Sequence, residues 1–208
     1  LMVAVLIVGC APKGVAPPAV EEELPTIKLS SGIPLTGPHA VAGTIYMWKS
    51  WMYCLKWIND VEGGFEAAGK KYKIDNSMWV DTKGEIPQYV AHYKKAAAAG
   101  NVMDFSLSSH ELAASRPLAD RYGVCGVSYS GASLDAVYPP GRVFTLQDSY
   151  GAYMVSGLKW FKENIWEEDR PIRLGLLIWD VAMGRNIDDP DMHAYIEKNL
   201  GMKIVHKE

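Results

Sequence analysis

The chain has 208 residues, of which 49% are hydrophobic, enough to bury the core of one ordinary domain or two small ones without crosslinks. Its formal net charge is −3 and its lysines and arginines are scattered, so a nucleic-acid partner is not expected. The cysteines Cys10, Cys54 and Cys125 lack C-x-x-C spacing, which argues against a disulfide framework and a zinc site. We therefore expect no metal and no cofactor.

The first residues have the pattern of an export signal. Residues 2–8 form a continuous apolar run, much shorter than the roughly 20 apolar residues that span a bilayer. The string IVGC at residues 7–10 resembles the lipobox of bacterial lipoproteins, in which the cysteine is acylated after cleavage. We expect a lipoprotein signal at residues 1–9 and lipidation of Cys10. A buried first strand is the alternative.

Residues 10–25 are expected to form a tether. They contain several prolines and a run of glutamates at 21–23, a composition typical of an extended, solvated segment that would hold a domain off the membrane. No charged leader precedes the apolar run, and the sequence begins with Leu1. We therefore expect it to be a fragment of a longer protein.

The rest of the chain alternates between short β-rich runs and longer helical patterns. This alternation predicts an α/β fold with a parallel sheet that has helices on both faces. In the first helix Ile45, Trp48, Met52, Leu55 and Ile58 recur at helical spacing. The predicted strands lie at residues 27–33, 72–80, 103–107, 124–127, 143–146, 174–179 and 203–205, and the predicted helices at 40–61, 85–99, 110–121, 150–164 and 190–200.

We expect two doubly wound lobes. Residues 26–146 would form the first, and residues 147–208 a hinge near 146–149 and the start of a second, truncated lobe, because the apolar faces after Arg173 lack partners for a complete layer. Cys54 and Cys125 are expected to be buried free thiols, and Trp48 and Trp57 to belong to the core.

Three strings carry a family resemblance. They read IKLSSGIPLTGPHAVAG at residues 27–43, WINDVEGGFEAAGKKYKI at 57–74 and DFSLSSHELAASRPLADRYGVCGVSYSGAS at 104–133. In order and spacing they resemble the N-terminal half of the Leu/Ile/Val-binding family. These are substrate-binding proteins of ABC importers, of the branched-chain amino acid type. The resemblance implies the type I periplasmic-binding-protein fold over residues 27–205.

The residues themselves indicate where a ligand would bind. In open α/β sheets, ligands lie beyond the carboxyl ends of the strands and next to helix N-termini, which is where Ser108 and Ser109 fall. Helix capping explains one of these serines equally well. A second polar loop follows the next strand, and its alternative is an ordinary polar turn. Its candidate residues are Ser128, Tyr129, Ser130, Ala132 and Ser133.

The resemblance implies roles for three of these positions. Ser109, Ser130 and Ala132 stand where family members contact the carboxylate and amine of the ligand, although the usual threonine is absent at Ala132 and Ser133 would substitute for it. Two aromatic ligand contacts of the family are also missing, because those positions fall near Ala42 and Met183. His39, Tyr129 and Trp179 are the nearby side chains that would replace them.

Catalytic motifs are incomplete. His110 and Glu111 lack the second histidine of H-E-x-x-H, and the string GVSYS at 126–130 lacks the final glycine of G-x-S-x-G. Residues 32–43 contain no G-x-G-x-x-G, and no P-loop occurs. The acidic cluster at 188–193 is more typical of helix capping before Pro190 than of a metal site.

We therefore predict an extracytoplasmic solute-binding component of an ABC importer, and not an enzyme. It would be periplasmic or at the cell surface, anchored by lipid, and would capture an amino acid, amide or small carboxylate by hinge closure for the importer's membrane subunits. Two alternatives stay open. One is a receptor ectodomain of the same fold; the other is an α/β hydrolase with a loop serine and His110 as its base.

Overall fold

The structure is a computed structural model and describes residues 23–131, 134–178 and 182–208. The predicted signal segment, the lipidation site Cys10 and most of the tether lie outside the described residues. So do Ala132, Ser133 and Trp179.

Six strands form the larger sheet, in the spatial order β2-β3-β1-β4-β5-β6. All neighbours are parallel except β2 and β3, which form an antiparallel hairpin. The strands are β1 (Thr26–Ile33), β2 (Phe65–Ala67), β3 (Lys70–Asp81), β4 (Met103–Ser106), β5 (Cys125–Ser128) and β6 (Val143–Thr145). The chain adds β3 on one side of β1 and β4 on the other, so the winding reverses at β1. The predicted doubly wound α/β fold is confirmed, and β2 is an edge strand that was not predicted.

Helices cover both faces of this sheet. The first begins with a π-helical stretch, Ala42–Lys49, and continues as α1 (Ser50–Asp60). The others in this part of the chain are α2 (Ile86–Ala98), α3 (Ser109–Tyr122) and the short α4 (Leu134–Val137). On one face, α2 and α3 pack together over a core that includes Tyr89, Tyr93, Leu112 and Ala119. Gly32 of β1 is required there, because a Cβ would lie 2.6 Å from the ring of Tyr89.

The first helix covers the opposite face, and three predictions about it are wrong. Ile45 is 52% exposed although it fits the predicted apolar stripe, whereas Met47 is buried. The wider turn of a π-helix moves side chains off the faces that α-helical spacing predicts. Trp57 is 57% exposed because it lies two residues, about 200°, beyond buried Leu55. Cys54, also predicted to be buried, is exposed, and Cys125 is half-buried.

The residues after β6 form a second, smaller unit. It contains α5 (Tyr150–Asn164), β7 (Arg173–Leu176), α6 (Ala182–Ile187), α7 (Pro190–Tyr195), a π-helical turn (Ile196–Leu200) and β8 (Lys203–Lys207). The two strands are parallel, and buried Ile172, Ile196, Leu200 and Met202 form the core. The strand predicted at 174–179 ends at Leu176.

The acidic cluster before α7 caps that helix, as predicted. Asp189 accepts hydrogen bonds from the amides of Asp191 and Met192, at 2.7 and 3.2 Å. Among the described residues, no helix is both long enough and apolar enough to cross a bilayer.

Candidate functional site

The carboxyl ends of four parallel strands lie side by side at one edge of the large sheet. Gly32 is paired with Ser106, Ser106 with Ser128, and Ser128 with Thr145. Because the winding reverses between β1 and β4, the loops after these two strands turn to opposite faces and leave a crevice between them. Such a crevice is the usual ligand site of an open α/β sheet.

A cleft of about 250 Å³ occupies this crevice. Pro34 and Ala42 line it from the β1 side, Leu107 and Ser109 from the β4 side, and Tyr150 from the start of α5. Its remaining lining residues are His39, Gly84, Ser108, His110 and Ser130. Three of the predicted site residues, Ser108, Ser109 and Ser130, therefore share one cleft.

The wall after β1 is held by Asp81, the last residue of β3. Its carboxylate accepts hydrogen bonds from the amides of Leu35 and Thr36, at 2.8 and 3.2 Å, and from the Thr36 hydroxyl at 2.6 Å. Burial alone would raise the pKa of Asp81, but these bonds and one from the Lys83 amide hold the pKa below its ordinary value. The turn at residues 34–36 is thereby fixed as one edge of the cleft.

Ser108 caps α3. Its hydroxyl accepts from the amide of Glu111 at 3.2 Å and donates to the Glu111 carboxylate at 3.2 Å, while that carboxylate accepts from the Ser108 amide at 3.1 Å. This is a capping box, so the hydroxyl of Ser108 is already occupied. Capping and ligand binding were both considered for Ser108 and Ser109, and Ser108 is the capping residue.

Ser109 is the first residue of α3 and takes no part in this capping box. It is 5% exposed and lines the cleft, and among the described residues its hydroxyl has no hydrogen-bond partner. The first amides of a helix also lack partners within the helix, and the positive end of the helix dipole lies there. Ser109 therefore brings a hydroxyl and a helix N-terminus to one wall.

Glu111 fixes this wall from beneath. Its fully buried carboxylate also accepts from the hydroxyl of Thr82 at 2.8 Å and from the amide of Leu107 at 3.2 Å. Burial raises the pKa of Glu111 above its ordinary value, and the bonds from Thr82, Ser108 and Leu107 oppose that rise. One side chain thus joins the ends of β3 and β4 to α3. The sequence analysis treated Glu111 only as part of an incomplete metal motif, although S-x-x-E before an apolar run is a recognisable capping box.

The loop after β5 divides its side chains between two sites. The hydroxyls of Ser128 and Ser130 lie 3.3 Å apart, and the Ser128 hydroxyl donates to the Leu107 carbonyl at 3.4 Å. Ser128 is fully buried and does not line the cleft, whereas Ser130 does. Tyr129 lines a separate apolar pocket on the α1 side.

Two basic side chains lie near His110, one of the residues that line the cleft. Burial lowers the pKa of the His110 imidazole, and the nearby charges of Arg185 and His39 lower it further. Arg185 belongs to α6 of the second unit, and α6 packs against α3. No acidic side chain is present among the described residues that line the cleft. Nothing in the spacing of Arg185 in the sequence indicated its place beside His110.

No protein-family model and no curated protein sequence matches the chain. Several solved structures match it in fold. One is a branched-chain amino acid ABC transporter from Thermus thermophilus with bound valine, with a TM-score of 0.69, 17% identity, and coverage of 89% of this chain and 46% of that one.

Two further structures show the same likeness. A solute-binding protein of an ABC transporter from Rhodopseudomonas palustris BisB5, in complex with 3,4-dihydroxybenzoic acid, has a TM-score of 0.66 at 16% identity and covers 88% of this chain and 46% of its own. A fatty acid ABC transporter substrate-binding protein from Thermomonospora curvata has a TM-score of 0.66 at 17% identity, covering 88% and 44%. The chain has the type I periplasmic-binding-protein-like fold and spans about half the length of these structures.

Proposed function

We propose that this protein is the solute-binding component of an ABC importer and that it binds a small carboxylate-bearing solute in the cleft between β1 and β4. The observation that carries the proposal is the Ser109 wall. Ser109 is 5% exposed, its hydroxyl has no partner among the described residues, and it lies beside a helix N-terminus at the reversal point of the sheet. The importer role is supported by the fold, which the chain shares with several transporter-associated binding proteins.

The charges around the cleft favour an anionic group on the solute. Burial lowers the pKa of His110, and the charges of Arg185 and His39 lower it further because they oppose its protonation. A carboxylate in the cleft would relieve that repulsion and would accept hydrogen bonds from Ser109 and Ser130. Ser108 and Glu111 would act only by holding the wall in place. Amino acids, which carry a carboxylate, belong to the same solute class.

The second unit would supply the moving part. Tyr150, which follows β6, lines the cleft, and Arg185 of α6 lies near His110. Asn186 accepts a hydrogen bond from the Gly151 amide at 3.2 Å. A hinge at residues 146–149 would bring these groups onto a bound solute, and the importer would recognise the closed form. An acylated Cys10 and the tether after it would hold the protein on the outer side of the membrane. A receptor ectodomain of the same fold would bind its ligand in the same way.

Hydrolysis is disfavoured by the placement of the serines. His110 follows Ser109 directly in α3, and neighbouring residues in a helix point in different directions, so the imidazole is poorly placed to activate that hydroxyl. The Ser130 hydroxyl is paired with that of Ser128. Among the described residues, His110 is not placed as a base for either serine in the way that a serine hydrolase requires. We therefore propose a protein that binds without turnover.

The test is a thermal-shift screen of the purified protein against amino acids, amides, aliphatic carboxylates and aromatic acids, followed by calorimetry of the best class. A ligand at about 100 times its Kd stabilises the folded state by about 2.7 kcal/mol, which is readily detected. The shift should be lost in Ser109→Ala and kept in Ser156→Ala, a matched change on the exposed surface of α5. Carboxylates that bind equally well to both variants would contradict the site, and turnover of a bound ester would contradict the proposed class.

A further inference from the structure

The outer side of the first helix carries a ridge of apolar side chains. Residues four apart lie on successive turns of a helix and therefore on the same side of it. From residue 41 to residue 61, five of the six positions in such a series are large apolar side chains, each more than half exposed. The sixth is an exposed lysine. The outer ridge consists of Val41, Ile45, Lys49, Tyr53, Trp57 and Val61.

The change of helix type along this segment keeps the outer ridge in line. A π-helical turn contains more than four residues and an α-helical turn contains fewer. Steps of four residues therefore fall short of a full turn in the first and exceed it in the second. The helix is π-helical over Ala42–Lys49 and α-helical over Ser50–Asp60. The two deviations have opposite signs, so the ridge stays on one side of the helix.

The side of this helix that faces the sheet is apolar as well. Met47 and Leu55 are buried there, and the ring of Trp51 packs on that of Phe105 in β4, with centroids 4.0 Å apart. A surface helix of a globular protein normally has polar side chains away from the core, and a helix that is apolar all round is normally covered all round. A contiguous exposed apolar surface marks an interaction site. The outer ridge is therefore expected to have a partner.

The described chain begins at the end of this ridge. The side chain of Leu24 lies 3.6 Å from the position that a Cβ would take on Gly64, in the turn after the helix. From Cys10 to Glu23 the chain spans at most about 40 Å when fully extended. The helix that carries the ridge is itself about 30 Å long. A lipid anchor at Cys10 would therefore keep the ridge within reach of the membrane surface.

The side chains of the outer ridge suit a lipid surface better than a protein partner. Tyrosine and tryptophan, here Tyr53 and Trp57, are enriched where a membrane meets water, because their rings are apolar and carry one polar group. The Trp57 indole N–H donates to the Glu62 carboxylate at 3.0 Å. Lys49 lies within the ridge. Lysine is depleted from the buried centre of protein interfaces, whereas at a lipid surface its ammonium group extends to the headgroups.

We propose that the outer ridge rests on the lipid surface to which the protein is anchored, with the rings of Tyr53 and Trp57 at the level of the headgroups. The partner is a phospholipid bilayer, which the apolar rings and the ammonium group of Lys49 recognise. The contact determines which side of the domain faces the membrane. This inference rests on the proposed function for the anchor at Cys10, but the contact itself needs neither acylation nor a bound solute.

The first test is co-sedimentation of the full chain with vesicles of phosphatidylethanolamine and phosphatidylglycerol. The double variant Tyr53→Ser, Trp57→Ser should bind about ten-fold more weakly than the original chain, a ratio that corresponds to about 1.4 kcal/mol, because the lipid no longer buries the two rings. The matched control is Tyr153→Ser, Trp160→Ser, a similarly exposed pair on α5 whose loss should leave binding unchanged. Residues 1–22 are the same in all three chains, so their own affinity for lipid cancels in the comparison.

The second test locates the ridge by fluorescence quenching. The contribution of Trp57 is the difference in emission between the original chain and Trp57→Phe, which keeps an aromatic ring at that position. Lipids whose acyl chains are brominated near the headgroup should quench this contribution, because bromine quenches tryptophan only at short range. The corresponding difference for Trp160→Phe should be the same with and without bromine.

Each outcome either supports or overturns the lipid contact. Equal vesicle binding by the two double variants, or a Trp57 contribution that brominated lipid leaves unchanged, would overturn it. Dimerisation of the lipid-free protein that Tyr53→Ser, Trp57→Ser abolishes would also overturn it, and would assign the outer ridge to a second copy of the chain. These results would leave the solute-induced thermal shift, and with it the proposed function, intact. Vesicle binding through the ridge in a protein that no solute stabilises would support the contact and contradict the proposed function.

Discussion

Replacing Glu111 with alanine should destabilise the protein strongly and loosen the Ser109 wall. The substitution removes the acceptor for the buried Thr82 hydroxyl and for the amides of Leu107 and Ser108. A buried donor left without a partner costs about 1–3 kcal/mol, and water reaches the half-buried amides more easily than Thr82. We expect a loss of about 3–5 kcal/mol in the free energy of unfolding, and a fall of about 10 °C in the Tm.

Urea unfolding measures the effect, with an unchanged m-value as the sign that only stability has changed. Glu111→Gln should cost about 1 kcal/mol, because the amide oxygen can accept from the two backbone amides and its NH2 can donate to Thr82. Glu85→Gln, at an exposed carboxylate before α2, should stay within about 0.5 kcal/mol of the original protein. A loss below about 1 kcal/mol in Glu111→Ala would refute the bridging role of this side chain.

Three further changes test other parts of the structure. Gly43→Ala would place its Cβ 2.0 Å from the Pro34 carbonyl oxygen, so it should lower the Tm and weaken solute binding in a thermal-shift assay. Tyr93→Phe removes a 2.6 Å hydrogen bond to the Val124 carbonyl and should cost about 1–2 kcal/mol by urea unfolding, a loss that an unchanged midpoint would exclude. Burial raises the pKa of Glu111 in the folded state, so protonation of this carboxyl favours folding. Relative to Glu111→Gln, the original protein should therefore become more stable as the pH falls through the raised pKa toward about 4.5. It should lose that stability as the pH rises again. A difference between the two proteins that is constant with pH would contradict that sign.

The alternation of strands and helices made the fold predictable, because each βα unit buries an apolar face of its own. Helix α5 was predicted at its observed bounds, and β1 within one residue. The hairpin strand β2 was missed because Phe65–Ala67 is too short for an alternating pattern and follows two turn-forming glycines. The exposure of Ile45 was missed because the sequence pattern assumes α-helical spacing.

The site could be predicted only in part. Serines after a strand and before a helix mark the cleft, and local spacing shows that Ser108 can cap α3 through Glu111. Ser130 lines the cleft and Tyr129 lines the separate apolar pocket. This difference depends on the direction of each side chain in the loop after β5, which the sequence does not reveal. The approach of Arg185 to His110 depends on contact between two units distant in sequence.

A crystal structure of the protein with the carboxylate that gives the largest thermal shift tests the central claim most directly. The account predicts the carboxylate within hydrogen-bonding distance of the Ser109 hydroxyl, about 2.5–3.0 Å between oxygens, in the cleft that Pro34, His110 and Ser130 also line. A ligand bound elsewhere on the protein, with Ser109 untouched, would contradict it.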